Sequence, residues 1–143
     1  MKSEEIIKVE SERQTESLAR KLAKQVAGGT VIALNGELGA GKTTFTQYFA
    51  KALGIDQPVQ SPTFTVVRSY DGDRYRLHHF DVYRVHDEDE LFEIGFSEYI
   101  NSEDGICLIE WAELISDMLP DDVRTIHIGY GESENERIFK IYR

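Results

Sequence analysis

Apolar residues in the first third of the chain follow two spacings, one typical of helices and one typical of strands. Between residues 12 and 26, apolar side chains recur every four residues, which predicts an amphipathic helix. The nearly continuous apolar run at residues 30–34 predicts a strand buried on both faces. A short apolar run at residues 6–9 predicts an earlier strand, and a second helix is expected over residues 42–53.

The later part of the chain is rich in β-branched and aromatic residues at strand spacing. Residues 63–70 and 75–84 flank the turn sequence Asp71-Gly72-Asp73, which predicts an antiparallel hairpin. Further strands are expected at residues 106–111, 125–130 and 138–142, with a short helix after the first of them that ends near Pro120. The pattern predicts an α/β domain with three layers and a mixed, partly antiparallel sheet, and one domain spanning residues 1–143.

The acidic run Asp87-Glu88-Asp89-Glu90 has two interpretations. It could form an acidic binding patch, or it could begin a helix in which Asp87 is the N-cap and Glu90 completes a capping box. We favour the helix, because acidic side chains stabilise a helix N-terminus and an apolar face follows at Leu91, Phe92 and Ile94.

Composition and charge disfavour a nucleic-acid-binding protein and a membrane protein. The formal net charge of -10 disfavours stand-alone binding to DNA or RNA, because the phosphates would repel the chain. The sequence has neither a signal-peptide core nor an apolar run long enough to span a bilayer, so we expect a cytoplasmic protein without a membrane partner. The single cysteine, Cys107, lies in an apolar run and is interpreted as a buried structural thiol.

The segment from Gly36 to Thr43 reads GELGAGKT and matches the phosphate-loop pattern G-x-x-x-x-G-K-[ST]. Glycines allow consecutive backbone N–H groups to converge on phosphate oxygens, and the following helix adds its positive dipole end. Lys42 is expected to reach the β- and γ-phosphates and Thr43 to supply a hydroxyl to Mg²⁺. The residues expected to contact a bound nucleotide here are Glu37, Leu38, Gly39, Ala40, Gly41, Lys42, Thr43 and Thr44. The motif predicts a P-loop NTPase-like domain.

Two carboxylates in strand-like segments are candidates for catalysis. Glu110 follows four apolar residues, so it is expected at the carboxyl end of an inner strand, where such sheets bind ligands. It could coordinate Mg²⁺ directly or through water, orient the attacking water, or be a solvated strand-end group. Asp81 could bind a metal-bound water, or it could pair with Arg84 or a histidine. The neighbours of Asp81 at positions 78 and 79 are histidines that face opposite sides of the strand, and both are interpreted as structural or surface residues.

Other positions give weaker predictions about the nucleotide. The sequence lacks an N-K-x-D string, the motif that recognises guanine, so the expected nucleotide is ATP. Thr15 and Arg137 are candidates for contacts with adenine or ribose. Ser61 lies in a loop that could place a hydroxyl near the γ-phosphate, or it could make only local turn bonds. An arginine finger could come from Arg68, from Arg84 or from a partner protein.

Four ordered blocks of sequence together resemble the TsaE family, also called YjeE-type ATPases. The blocks are GELGAGKTT from Gly36, SPTFT from Ser61, HFDVYR from His79 and IEW from Ile109, and they span most of the chain. The resemblance implies a small bacterial P-loop ATPase needed to make N6-threonylcarbamoyladenosine at position 37 of tRNAs that read ANN codons. It further implies a TsaD–TsaB-type heterodimer as partner, with contact to tRNA only through that partner.

The resemblance also assigns roles to individual residues. It implies that Lys42 and Thr43 bind phosphate and Mg²⁺, that Glu110 serves the metal, and that Asp81 is needed for hydrolysis. Trp111 resembles a tryptophan beside the nucleotide in that family; the alternative is that it packs in the core. Ala112 stands where some relatives are expected to have proline, which bears on the local turn.

Three functions are compatible with the sequence. The first is a Mg²⁺-dependent ATPase that is slow without its partners. The second is a small-molecule kinase, which would need an acceptor pocket and a lid. The third is a nucleotide sensor that does not hydrolyse ATP. The resemblance favours the ATPase.

Overall fold

The computed structural model describes residues 3–37, 39–62, 65–85 and 87–142. The helices and strands along these residues are β1 (Glu4–Val9), α1 (Glu12–Gln25), β2 (Val31–Gly36), α2 (Lys42–Ala52), β3 (Val67–Asp71), β4 (Arg76–Asp81), α3 (Glu88–Glu93), α4 (Phe96–Ile100), β5 (Gly105–Glu110), a 3₁₀ helix (Ala112–Met118), β6 (Arg124–Tyr130) and β7 (Arg137–Tyr142).

The strands form one mixed sheet in the order β1-β7-β6-β2-β5-β4-β3. The four central strands, β6, β2, β5 and β4, run parallel, whereas β7, β1 and β3 pair antiparallel at the two sides. Because β2, β4 and β5 are parallel neighbours, their carboxyl ends meet at one edge, where a ligand site is expected.

Helices cover both faces of the sheet and enclose two apolar cores. On one face α1 and α2 pack over alternate strand residues such as Ile32 and Leu34. On the other face α3, α4 and the 3₁₀ helix pack over the intervening residues, among them Val31 and Ala33. Strand β2 is therefore buried on both sides, as its apolar run predicts. The prediction of a three-layer α/β domain with a partly antiparallel sheet is confirmed.

The strands around the predicted hairpin are shorter than the sequence suggests. Strands β3 and β4 pair antiparallel as expected, but β3 begins at Val67 and β4 ends at Asp81. Val66 has a φ of 69°, which a strand cannot accommodate, and its backbone turns back to bond to the Pro62 carbonyl oxygen. Residues 63 and 64, where the first strand was expected to begin, lie outside the described residues.

The helix after the acidic run begins where it was predicted, but the prediction of its apolar face was partly wrong. The Asp87 carboxylate accepts a hydrogen bond from the Glu90 backbone N–H at 3.1 Å, which is an N-cap. Leu91 is fully buried, but Phe92 is 79% exposed, so its assignment to the buried face was wrong. The six-residue helix has room for little more than one inward position, and Gly95, at a φ of 80°, starts α4 in a new direction. No helix was predicted from the sequence at the position of α4.

The described helices are all too short or too polar to cross a lipid bilayer.

Candidate functional site

The turn between β2 and α2 has the geometry of an anion-binding cradle. Gly41 precedes α2 with a φ of 105°, which L side chains rarely adopt. A Cβ at Gly36 would lie 2.6 Å from the Ile128 carbonyl oxygen, so the turn can pass β6 only without a side chain. Among the described residues, α2 has no side-chain cap, which leaves its first backbone N–H groups available to an anion. Leu38, one of the predicted contacts, lies outside the described residues.

Lys42, the first residue of α2, is folded back against this turn. Its Nζ donates to the carbonyl oxygens of Gly36 at 2.5 Å and Glu37 at 3.1 Å. The ammonium group also lies 3.7 Å from the centre of the Trp111 ring, a cation–π contact. Burial lowers the pKa of Lys42 below its usual 10.5, while the carboxylates of Glu110, Glu113 and Asp81 oppose that shift.

Thr43 and Glu110 face each other across the cleft. Glu110 is the last residue of β5 and is only 2% exposed, as the apolar run before it predicts for an inner strand. The Thr43 hydroxyl donates to Oε1 of Glu110 over 3.4 Å. The interpretation of Glu110 as a solvated strand-end carboxylate does not fit this burial.

Oε2 of Glu110 contacts His79, which was predicted from the sequence to be a structural or surface residue. The His79 side chain is fully buried, and its Nε2 lies 2.5 Å from Oε2. His78 faces the opposite side of the sheet, where it contacts Ser69 and the ring of Tyr99. The sequence signal that could have identified His79 is its position two residues before Asp81, on the same face of the strand.

Asp81, the last residue of β4, stands beside Glu110 in the sheet register and is 6% exposed. Oδ2 accepts a hydrogen bond from the Ser61 hydroxyl at 2.8 Å, and Oδ1 accepts one from the Tyr83 backbone N–H at 3.0 Å. The histidine next to it on this face, His79, bonds to Glu110 instead. Ser61 thus lies beside a candidate catalytic carboxylate, although its role toward a phosphate stays a prediction.

Trp111 closes the cleft from the end of β5. It is one of two described non-glycine residues with positive φ, at 64°, and its ring also packs against Tyr83 with centroids 4.8 Å apart. Residues held in this region of φ commonly occur at functional sites. The following 3₁₀ helix begins directly at Ala112, so the local turn forms with alanine at this position.

These side chains surround a cleft of about 450 Å³. Its lining residues include Gly39, Gly41, Lys42, Thr43, Thr44, Ser61, Asp81, Tyr83, Arg84, Glu110 and Trp111. A second cleft of about 440 Å³ lies on the other side of the turn and contains Thr15 and Arg137. Gly39, Gly41 and Thr44 line both clefts, so a single ligand could extend across the turn.

Thr15 and Arg137 already have partners in the second cleft. The Thr15 hydroxyl donates to the Ser11 carbonyl oxygen over 3.4 Å. The Arg137 guanidinium donates to the Ala40 carbonyl oxygen at 3.1 Å and stacks over Tyr130. Arg137 therefore supports the turn, and contacts of either residue with adenine or ribose stay predictions.

The oxygen donors in the first cleft fit a magnesium ion that arrives with a nucleotide. A hydroxyl and two carboxylates are hard ligands of the kind Mg²⁺ prefers. The described residues contain no cluster of three or more His, Cys, Asp or Glu side chains able to hold a metal alone. Mg²⁺ usually binds through one or two protein groups together with substrate phosphates and water, and this site could provide those protein groups.

Comparison with known proteins agrees with this architecture. The family model described as "Threonylcarbamoyl adenosine biosynthesis protein TsaE" matches residues 9–139. The tRNA threonylcarbamoyladenosine biosynthesis protein TsaE of Bacillus subtilis is 44% identical over 127 residues, which cover 88% of this chain and 78% of that protein. The protein of the same name from Aquifex aeolicus is 44% identical over 137 residues, covering 94% and 93%.

The structure of one relative shows the same fold. The crystal structure of Bacillus subtilis YdiB matches with a TM-score of 0.84 and 36% sequence identity, over 99% of this chain and 86% of that one. Since the family model covers nearly the whole length and the relatives share well over 30% of their residues, the chain belongs to the TsaE family of threonylcarbamoyl adenosine biosynthesis proteins.

Proposed function

We propose that this chain binds and hydrolyses Mg²⁺-ATP as a subunit of the machinery that makes N6-threonylcarbamoyladenosine in tRNA. The relatives are named for that biosynthesis. The observation that carries the proposal is the convergence of Lys42, Thr43, Asp81 and Glu110 on one cleft beside a glycine-rich turn. Phosphate-binding and acidic groups meet there, as hydrolysis of a nucleoside triphosphate requires.

Each group has a role in the proposed reaction that follows from its position. The turn's N–H groups and Lys42 would bind the phosphate oxygens and offset their charge as the γ-phosphoryl group transfers to water. Asp81 would accept a hydrogen bond from the attacking water, while the bond between the γ-phosphorus and the bridging oxygen breaks. Thr43 and Glu110 would hold Mg²⁺, which supplies charge neutralisation on the phosphates when bound.

A protein partner is the second part of the proposal. Two apolar side chains are exposed on the surface, Phe92 of α3 at 79% and Leu114 of the 3₁₀ helix at 55%. Exposed apolar groups near acidic helices suit a partner surface with apolar and basic residues. We propose a TsaD–TsaB-type heterodimer as this partner. With a net charge of -10, the chain would leave contact with tRNA to that partner.

The experiment measures phosphate release from Mg²⁺-ATP, with and without the TsaD–TsaB-type heterodimer. We expect slow turnover alone, faster turnover in the complex, and loss of both in Lys42→Ala. Lys51→Ala is the matched control, because Lys51 lies in the same helix but its side chain is 76% exposed, in a weak ion pair with Glu16. If Lys42→Ala bound and hydrolysed ATP like the unmodified chain, the proposed site would be wrong.

A single-turnover measurement in the complex separates hydrolysis from sensing. ADP formed at a stoichiometry of about one per site supports the ATPase. Tight ATP binding with no ADP formed would replace it with the nucleotide sensor. A phosphorylated small-molecule acceptor in place of free phosphate would indicate a kinase.

A further inference from the structure

Strands β4 and β5 present matching side chains toward α2. On β4 this face carries Leu77, His79 and Asp81, and on β5 it carries Ile106, Leu108 and Glu110. The first position on each strand is apolar and the last is a carboxylate. The middle position is leucine on β5 but histidine on β4, so an imidazole occupies a place in the core where an apolar side chain would cost less to bury.

Among the described residues, the His79 imidazole has a single hydrogen-bond partner, the Glu110 carboxylate. Nε2 lies 2.5 Å from Oε2 of Glu110, whereas Nδ1 is buried and has no hydrogen-bond partner among the described residues. A ring nitrogen without a hydrogen-bond partner in the core is unfavourable, and Nδ1 of His79 makes no hydrogen bond to a described residue that would offset this cost. The contact with Glu110 is therefore the feature that accounts for a histidine at this position.

Because of this contact, the two carboxylate oxygens of Glu110 have different partners. Oε2 is occupied by the histidine, and Oε1 faces the Thr43 hydroxyl 3.4 Å away. A carboxylate on a flexible side chain has several rotamers, and a bond to one oxygen from a buried ring selects among them. Since His79 belongs to the neighbouring strand, the rigid sheet itself fixes the direction of Oε1.

We propose that His79 is a positioning residue that holds Glu110 so that Oε1 faces Thr43 at the site of the divalent cation. This inference rests on the proposed function, because that function assigns Thr43 and Glu110 to the cation. His79 itself touches neither nucleotide nor metal in this arrangement. Its loss weakens cation binding while the phosphate cradle of Gly41 and Lys42 stays intact.

Two amide variants of His79 separate positioning from packing. In His79→Gln the side-chain amide can reach about as far as Nε2 of histidine and can donate to Glu110. In His79→Asn the same amide is one methylene shorter and falls short of Glu110. Matched substitutions of His78, on the opposite face of the sheet, serve as controls for general effects on β4.

The first readout is Mn²⁺ affinity in the presence of ADP, measured by electron paramagnetic resonance, which requires no hydrolysis. We expect His79→Asn to weaken Mn²⁺ binding roughly 10- to 100-fold, the usual effect of losing a residue that orients a ligand, and His79→Gln to recover most of that loss. ADP affinity without metal should be unchanged in both variants. The His78 variants should bind Mn²⁺ like the unmodified chain.

The second readout is the Mg²⁺ dependence of ATP hydrolysis. His79→Asn should need more Mg²⁺ for half-maximal activity, with a smaller change at saturating Mg²⁺. Unchanged Mn²⁺ affinity in His79→Asn, or equal loss in the Gln and Asn variants, would overturn the inference. If the unmodified chain binds Mn²⁺ with ADP but releases no phosphate from ATP, the proposed hydrolysis fails while Mn²⁺ affinity still decides the role of His79. If it binds no Mn²⁺ with ADP, both proposals fail.

Discussion

The ammonium group of Lys42 lies 3.7 Å from the centre of the Trp111 ring, and that ring occupies one wall of the cleft. The same Nζ donates to the carbonyl oxygens of Gly36 and Glu37. A phosphate that enters the cradle must therefore exchange at least one of these contacts for its own oxygens. Binding of an anion and the environment of Trp111 are linked through a single lysine.

This linkage predicts a fluorescence change on nucleotide binding. Trp111 is the only tryptophan in the chain, so its emission reports on this site alone. Titration with ATP and Mg²⁺ should alter its intensity or wavelength in proportion to occupancy, because Lys42 moves relative to the ring. Lys42→Met should show an altered emission from the start and little response to ATP. An unchanged emission at saturating nucleotide, with binding confirmed by calorimetry, would contradict the linkage.

We predict that Asp81 contributes more to the rate of ATP hydrolysis than to the affinity for ATP. Asp81→Asn should lower kcat by about 10²-fold or more, the range for loss of a group that accepts a proton or orients water, while ATP affinity changes little. The folded state should persist, because asparagine has nearly the shape of aspartate and can still accept hydrogen bonds from the Ser61 hydroxyl and the Tyr83 backbone N–H.

Ser61→Ala is the companion variant for Asp81. It removes the 2.8 Å hydrogen bond but keeps the carboxylate, so kcat should fall less than in Asp81→Asn. Phosphate release under saturating Mg²⁺-ATP measures both. Full activity in Asp81→Asn would remove Asp81 from the proposed mechanism.

Cys107 is predicted to be unreactive in the folded protein. The thiol is 2% exposed, burial raises its pKa to about 12, and its Sγ donates to the Tyr99 carbonyl oxygen at 3.3 Å. Since the thiolate is the nucleophile, iodoacetamide at about pH 8 should modify the native chain far more slowly than the chain unfolded in guanidinium chloride. Mass spectrometry over time gives both rates. Rapid modification of the native chain would show that the structural interpretation of Cys107 is wrong.

His78 is predicted to make folding stability depend on pH. Burial and, less strongly, the Arg76 guanidinium lower the pKa of His78 below its usual 6.5, while Asp104 opposes the shift. As the pH falls below about 6.5, the unfolded chain takes up a proton that the folded chain does not, so the free energy of unfolding decreases. Above about pH 8 the imidazole is neutral in both states and contributes no slope.

Urea denaturation at several pH values tests this dependence. His78→Asn can keep an acceptor near the Ser69 hydroxyl, which contacts Nδ1 of His78 at 2.7 Å, but it cannot take up a proton. Its free energy of unfolding should fall less steeply toward acid, by at most about 1.4 kcal/mol per pH unit. Identical slopes in the two proteins would show that other groups dominate the acid sensitivity.

The sequence was sufficient for the elements whose signals are local. The apolar run at β2, the period of α1 and the glycines before Lys42 depend only on neighbouring residues, and each occurs where it was expected. The Asp87 N-cap is equally local, since the bond joins residues three apart. The errors arose where contacts from elsewhere decide the outcome. Burial of Phe92 was expected from its neighbours alone, but α3 is too short to turn that position toward the core.

The sequence by itself determined that a glycine-rich turn precedes a helix with Lys42 and Thr43, and that Asp81 and Glu110 end strand-like runs. Only the tertiary structure decided that β4 and β5 are neighbours in register, which brings His79 to Glu110 across 31 residues of chain. A side chain's hydrogen-bond partner depends on which strands pair, and pairing is set by burial over the whole sheet. The alternation of the strand places His79 on the same face as Asp81, but only the pairing of β4 with β5 gives His79 the partner Glu110.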